Sequence, residues 1–312
     1  MGQTEQNTDA HVIVFQCDPH YWGVVSHALE ERLGKSYAAL LDSLQYNIRT
    51  MIEEGVATQS DGLTVAVKSN EAQISLTQVD NGLSLAKMVL AQMCGMPIDE
   101  TYTLADETME PETYTAARHT LLPDMESVFA NRSEIQSLTL AGKIFQNKQK
   151  IALSGMLPTV ALTGNYMISN PNLFNGFARE LKGFFKVGVL VRLPLPHWGD
   201  TAHNYRAQKS ESLIARLELD EAKEKIELQV NQAAFKIDEA AKRTGMTAKN
   251  LEKADENLRN AQIGFEEGVL TTDNVLEAQT AWLKARSEYI DAQIELKLCK
   301  VYLAKALGEM KY

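Results

Sequence analysis

The sequence predicts a mainly α fold: long antiparallel coiled-coil helical hairpins with a small pair of β-strands of the length that crosses a membrane. Three observations carry this. The chain repeats itself, with "EEGVATQSDGLTVAVKSNEA" at Glu53–Ala72 and "EEGVLTTDNVLEAQTAWLKA" at Glu266–Ala285. Downstream of both copies, apolar and small residues recur at alternating steps of three and four, the period of a coiled-coil seam. Between the copies, two stretches switch to strict alternation, the period of a strand.

Taken in order, residues 1–20 read as an irregular N-terminal segment. "MGQTEQNTDAHVIVFQCDPH" has no basic n-region, no long apolar stretch and no small-residue cleavage site, so it is not expected to be a secretory signal. Gln6 breaks the myristoylation pattern. Residues 21–155 form a first helical-hairpin repeat, 156–196 the strand pair and 197–312 a second helical-hairpin repeat.

Sliding the chain against itself by 213 positions matches Glu53, Glu54, Gly55, Val56 and Thr58 with Glu266, Glu267, Gly268, Val269 and Thr271. The same register matches Leu63, Ala72, Leu83, Leu90 and Gly95 with Leu276, Ala285, Leu296, Leu303 and Gly308. An ungapped register held this far is an internal duplication. Its first seam runs Gly62, Val65, Ser69, Ala72, Leu76, Val79, Leu83, Ala86, Leu90 and Met93. The second runs Val275, Ala278, Trp282, Ala285, Tyr289, Ala292, Leu296, Cys299, Leu303 and Ala306. Upstream of the second turn, Leu251, Ala254, Leu258, Ala261 and Phe265 continue the pattern, and only Gly245 interrupts helicity back to about Thr201. A helix of roughly 95 Å is therefore expected before that turn, with later helices of about 45 Å or more.

Gly55 and Gly268 stand where one helix ends and the next begins, because glycine takes the left-handed C′ conformation without a Cβ penalty. The tips are accordingly Gly55, Val56, Ala57, Thr58, Ser60 and Asp61 in the first copy. In the second they are Gly268, Val269, Leu270, Thr271, Thr272 and Asp273. Their hydroxyls and acids suit helix N-caps at the positive end of a helix. They read equally as caps alone and as caps that also touch a partner.

"LPTVALTGNYMI" places Val160, Leu162, Tyr166 and Ile168 on one face, and Thr159, Thr163 and Asn165 on the other. "FKVGVLVRLPL" places Phe185, Val187, Val189, Val191, Leu193 and Leu195 on one face, with Lys186, Gly188 and Arg192 opposite. Eleven residues at about 3.3 Å each reach roughly 36 Å, enough for a tilted bilayer crossing. The same alternation serves a soluble sheet that packs one face on a core. What favours a lipid-facing strand pair is its setting between very long, duplicated heptad helices.

Forty-one acidic against 31 basic residues give a net charge of −10, which excludes the basic surface that nucleic acid requires. Ile151–Ala178 is free of charge but broken by Pro158 and Pro171, so no transmembrane helix is expected. Cys17, Cys94 and Cys299 are odd in number and widely spaced, neither a disulfide framework nor a zinc pattern, and read as small packed hydrophobes. No dinucleotide, phosphate-loop, zinc-protease or nucleophile-elbow motif is present, so no enzyme, cofactor or metal is expected.

The chain resembles the TolC family of trimeric outer-membrane efflux channels. The resemblance rests on "MLPTVALTGNY", on "VGVLVRLPLPHWG" and on "FEEGVLTTDNVLEAQTAWLKAR", in family order, with "EEGVATQSDGLTVAVKSNEAQ" and "LAQMCGMPIDE" resembling the end of the family's first half. It implies a helical barrel with part of a shared β-barrel, and equatorial helices within residues 21–155. It implies a homotrimer in outer-membrane lipid of a Gram-negative bacterium, with a periplasmic helical extension. The hairpin tips would form the aperture and meet a periplasmic adaptor coupled to an inner-membrane pump. The chain would be a passive conduit in a tripartite efflux or type I secretion system.

A family member's first half would hold a signal peptide, an early helix, a strand pair and a long helix before the first tip, where this chain has residues 1–52. An N-terminally truncated gene product is the expectation. The alternative to a channel subunit is a soluble coiled-coil scaffold or a non-functional efflux-channel fragment.

Overall fold

In the computed structural model, residues 2–99, 101–108, 124–171, 179, 181–193 and 199–309 are described, residues 2–16 as backbone alone. Helix α1 spans Gly2–Glu53 and α2 Gln59–Met93, followed by a 3-10 turn at Ala105–Thr108. Next come α3 (Met125–Asn131), α4 (Ser133–Ser154), β1 (Thr159–Ser169), β2 (Lys182–Arg192), α5 (Asp200–Glu266) and α6 (Thr272–Leu307). The chain divides into two units, residues 1–133 with 225–312, and residues 134–224.

The first unit is built on the seams. Val275, Ala278, Ala285, Tyr289, Ala292, Leu296, Cys299 and Ala306 are all buried along α6, as are Val65, Ala72, Leu83 and Leu90 along α2. One cluster joins the two copies: Leu41, Leu44 and Ile48 of α1 and Val65 of α2 pack with Phe265 of α5 and Val275 of α6. Burying side chains of this size contributes about 1.5–3 kcal/mol each relative to leaving them in water. The duplicated hairpins are thus held by a shared apolar core.

Residues 2–20 are helical, which corrects the irregular segment expected there. Pro19 lies inside α1, where its missing N–H and its ring cost about 3 kcal/mol. Val24, Val25 and Ala28, in the turns that follow, are buried and offset that cost. A single proline does not end a helix whose neighbouring turns are anchored by packing.

In the second unit, β1 and β2 form a two-stranded antiparallel ribbon with Thr159 opposite Arg192 and Ser169 opposite Lys182. Leu157–Ile168 and Phe185–Leu195 are the strand limits the alternation suggests, but the ladder starts after Pro158 and β2 ends at Arg192. Proline has no N–H to donate, so pairing cannot extend past Thr159 on that side. Leu193 therefore lies just beyond the strand, and Leu195 falls outside the described residues. No helix among the described residues is long and apolar enough to cross a membrane.

Candidate functional sites at the hairpin tips and the strand pair

Both tips are closed by the same backbone device. Gly55 has φ +76° and Gly268 φ +72°. At the first, Gly55 N–H donates to Ile52 O at 3.0 Å and Val56 N–H to Met51 O at 2.8 Å. At the second, Gly268 N–H donates to Phe265 O at 3.0 Å and Val269 N–H to Gly264 O at 2.8 Å. These are the paired bonds of a helix ending in a left-handed residue, and they satisfy carbonyls the helix leaves open.

The next helix starts with a reciprocal cap. Thr58 donates its backbone N–H to Asp61 Oδ2 at 2.9 Å and its hydroxyl at 2.7 Å, while Asp61 N–H donates back to Thr58 Oγ1 at 3.2 Å. In the second copy Thr271 donates its N–H to Asn274 Oδ1 at 3.1 Å and its hydroxyl at 2.8 Å. Asn274 stands at the duplicated position of Asp61 and was absent from the expected tip residues. The repeated Thr-x-x-Asp/Asn spacing is the signal that reveals it.

The tips differ in how they fill. A side chain at Gly264 would meet Leu270 Cδ1 at 2.8 Å, and Leu270 packs on Leu258, Ala261 and Ala278. The duplicated positions hold Met51 and Ala57, so the first copy has the large residue in the helix and the small one in the turn. Gly55, Val56, Thr58, Ser60, Gly268, Val269, Thr271 and Asp273 are exposed, Ala57, Asp61 and Leu270 half-buried, and Thr272 buried. Val56 and Val269, just after the left-handed glycines, are 67% and 75% exposed. Each tip therefore presents one apolar side chain beside hydroxyls already engaged in capping.

The strand register brings the two apolar rows together. Val160 faces Val191, Leu162 faces Val189, Gly164 faces Val187 and Tyr166 faces Phe185, with Ile168 opposite Gly183. Val160, Leu162, Tyr166, Ile168, Phe185, Val187, Val189 and Val191 are between 57% and 77% exposed. A side chain at Gly183 would collide with the Tyr166 ring, so tyrosine covers the glycine. The other face pairs Thr159 with Arg192, Thr163 with Gly188 and Asn165 with Lys186, and also holds the apolar pairs Ala161–Leu190 and Met167–Phe184. Thr163 donates to Gly188 O at 3.1 Å across the ladder. One face is continuously apolar and exposed; the other is mixed.

Among the described residues, no cluster of His, Cys, Asp and Glu suits a metal ion. One polar group of the first unit escaped the sequence reading. Arg132, between α3 and α4, is buried and donates Nη1 to Lys305 O at 2.9 Å and Ala306 O at 3.4 Å, and Nη2 to Gln229 Oε1 at 3.4 Å. It places a positive charge on the last carbonyls of α6, at the negative end of that helix. Nothing in its local sequence marks it, because its partners lie far along the chain.

Comparison with known proteins fits this geometry. Outer membrane protein TolC of Vibrio cholerae is 22% identical over 319 residues, covering 95% of this chain and 70% of that protein. Outer membrane efflux protein BepC of Brucella suis is 22% identical, covering 98% of this chain and 64% of that protein. The chain spans about two thirds of the length of these curated relatives. The crystal structure of the outer membrane protein VceC from Vibrio cholerae shares the fold with a TM-score of 0.77 at 14% identity, covering 98% of this chain and 72% of that one. The sequence model of the family described as Outer membrane efflux protein matches residues 125–309, more than half of the chain, and the chain belongs to that family.

Proposed function

We propose that the chain is a subunit of an outer-membrane channel in a tripartite efflux or type I secretion system. It acts as a passive conduit for substrates delivered by a periplasmic adaptor and an inner-membrane pump, with no catalytic role. Three copies join strands into one barrel in outer-membrane lipid, and the helices extend into the periplasm of a Gram-negative cell. The observation that carries this reading is the continuous exposed apolar face of the strand pair, on two strands of 11 residues each. Such a face costs free energy in water and matches a tilted hydrocarbon crossing. Family membership and the names of the relatives support it. In this reading Val56 and Val269, with the turns around them, meet the adaptor.

The test is membrane fractionation. Wild-type chain, produced behind a secretory signal, should be found in the outer-membrane fraction and need detergent for extraction. Val189→Arg or Val191→Arg, on the apolar face, should abolish insertion, because arginine at the bilayer midplane costs about 2–4 kcal/mol in such a barrel. Thr163→Arg, on the opposite face, should be tolerated. Insertion unharmed by Val189→Arg would overturn the lipid-facing assignment, and a monodisperse detergent-free wild-type species would favour the soluble scaffold instead.

A further inference from the structure

The antiparallel packing of α1 on α2 has a fixed register, and it sets two cysteines opposite one another. A side chain at Gly34 would meet Leu76 Cδ1 at 3.1 Å, and one at Gly82 would meet His27 Cε1 at 4.0 Å. Ser69 Oγ donates to Asp42 Oδ1 at 3.4 Å. Equal steps of 25 residues, backward along α1 and forward along α2, lead from Asp42 to Cys17 and from Ser69 to Cys94. Val24 and Ala28, packed with Leu83 and Leu90, hold this register between the two places.

The surroundings are built rather than loose. Cys94 caps the C-terminus of α2, its N–H donating to Leu90 O at 3.0 Å, and Gly95 follows at φ +71°. One turn beyond Cys17, Tyr21 donates to Asp106 Oδ2 at 2.6 Å. Tyr102 donates to Lys87 O at 2.5 Å and the Lys87 ammonium pairs with Glu107 at 2.9 Å. The segment after Cys94 is thereby fastened to both helices. Cys94 is exposed and Cys17 half-buried, while Cys299 is buried. Only Cys299 fits the reading of all three as packed hydrophobes.

We propose that Cys17 and Cys94 are a redox site, a dithiol that closes to an intrachain disulfide and ties α1 covalently to the end of α2. The oxidant is a small disulfide such as oxidised glutathione. The exposed Cys94 thiolate attacks one of its sulfurs and expels a glutathione thiolate, forming a mixed disulfide. The Cys17 thiolate then attacks the Cys94 sulfur and expels the second. The two protons lost by the cysteines end on the two glutathione thiols, and two electrons pass from the pair to the oxidant. Burial, and then the adjacent Cys94, push the Cys17 thiol above its ordinary value, so ring closure should quicken as pH rises.

This inference stands on the α1–α2 register and does not depend on the channel reading. The test treats the purified full chain with oxidised glutathione, blocks remaining thiols with a maleimide after denaturation, and maps tryptic peptides without reductant. The expected product joins the peptide Met1–Arg32 to Met88–Arg118, migrates as a single chain, leaves only Cys299 labelled and is reversed by dithiothreitol. The same treatment of guanidinium-unfolded chain should give mixed linkages, showing that the fold selects the pair. Three labelled cysteines in the folded chain, or bonds that join Cys299 or separate chains instead, would overturn the proposal. Cys17→Ser and Cys94→Ser should each abolish the linked peptide, and the wild-type map decides the matter even if a variant fails to fold.

Discussion

At the first tip an aspartate, and at the second an asparagine, occupy the same position of a duplicated cap, and this single difference gives the tips different responses to acid. The Thr58 hydroxyl bond to Asp61, and then the Thr58 backbone bond, hold the Asp61 carboxyl below its ordinary value of 3.8. In the unfolded chain Asp61 ionises near that ordinary value. The contribution of the charged cap is therefore fully present above it and is lost as pH falls through the lower folded value. Asn274 does not titrate. Hydrogen exchange at about pH 3 should loosen residues 56–61 more than residues 269–274, relative to about pH 6. Asp61→Asn should remove that difference while keeping the cap, and equal loosening of both tips in the wild-type chain would refute the assignment. Thr58→Ala should cost about 1 kcal/mol of local stability by deleting the cap. At this scale the glycines and the capping hydroxyls and acids were legible, because turn and cap chemistry is local, while Asn274 was missed. That Leu270 fills the space beside Gly264, where the first copy has Ala57 and Met51, was not legible, since the repeat register aligns these positions without saying that they touch.

Elements whose periods are clean were readable, and those defined by distant partners were not. Alternation sorts Leu162 and Val189 onto apolar faces, but it does not say that they sit opposite each other or that β2 ends at Arg192. The ladder decides that, through Pro158. The helix over residues 2–20 was not read, and it contains Pro19, whose local penalty is outweighed by packing in the following turns. Arg132 shows the same limit between elements, because it gathers Gln229 of α5 and the carbonyls of Lys305 and Ala306 from α6. Hydrogen bonds from a charged donor are worth about 1.5–3 kcal/mol. Arg132→Ala should therefore raise the exchange of backbone amides in the last turns of α6 by about 10- to 100-fold. Arg132→Lys should not restore protection, because a point ammonium lacks the planar fork that spans two carbonyls and an amide. Wild-type protection in the lysine variant would show that charge alone closes that end.

For the whole molecule, the most informative helix is α2, because it is apolar on two opposite sides. At 100° per residue its buried row, Val65, Ala72, Leu83 and Leu90, is matched on the far side by Leu63, Val67, Ile74, Leu85 and Met88, which fall within about 60° of one another. Those five are between 43% and 67% exposed, whereas the buried row packs on α1 and the shared core. A helix at the rim of a soluble bundle needs one apolar stripe; a helix in a closed ring of helices needs two, one for each neighbour. The repeat made the inner stripe legible, while the outer one looked like ordinary helix composition until burial separated them. If the proposed trimer forms, this outer stripe lies between copies. Val67→Lys combined with Ile74→Lys should then shift detergent-solubilised chain from three copies to one in sedimentation or light scattering. Far-ultraviolet circular dichroism should remain that of intact helices, because α1 still covers the opposite side of α2. A trimer that survives both lysines would mean that the stripe faces something other than a second copy.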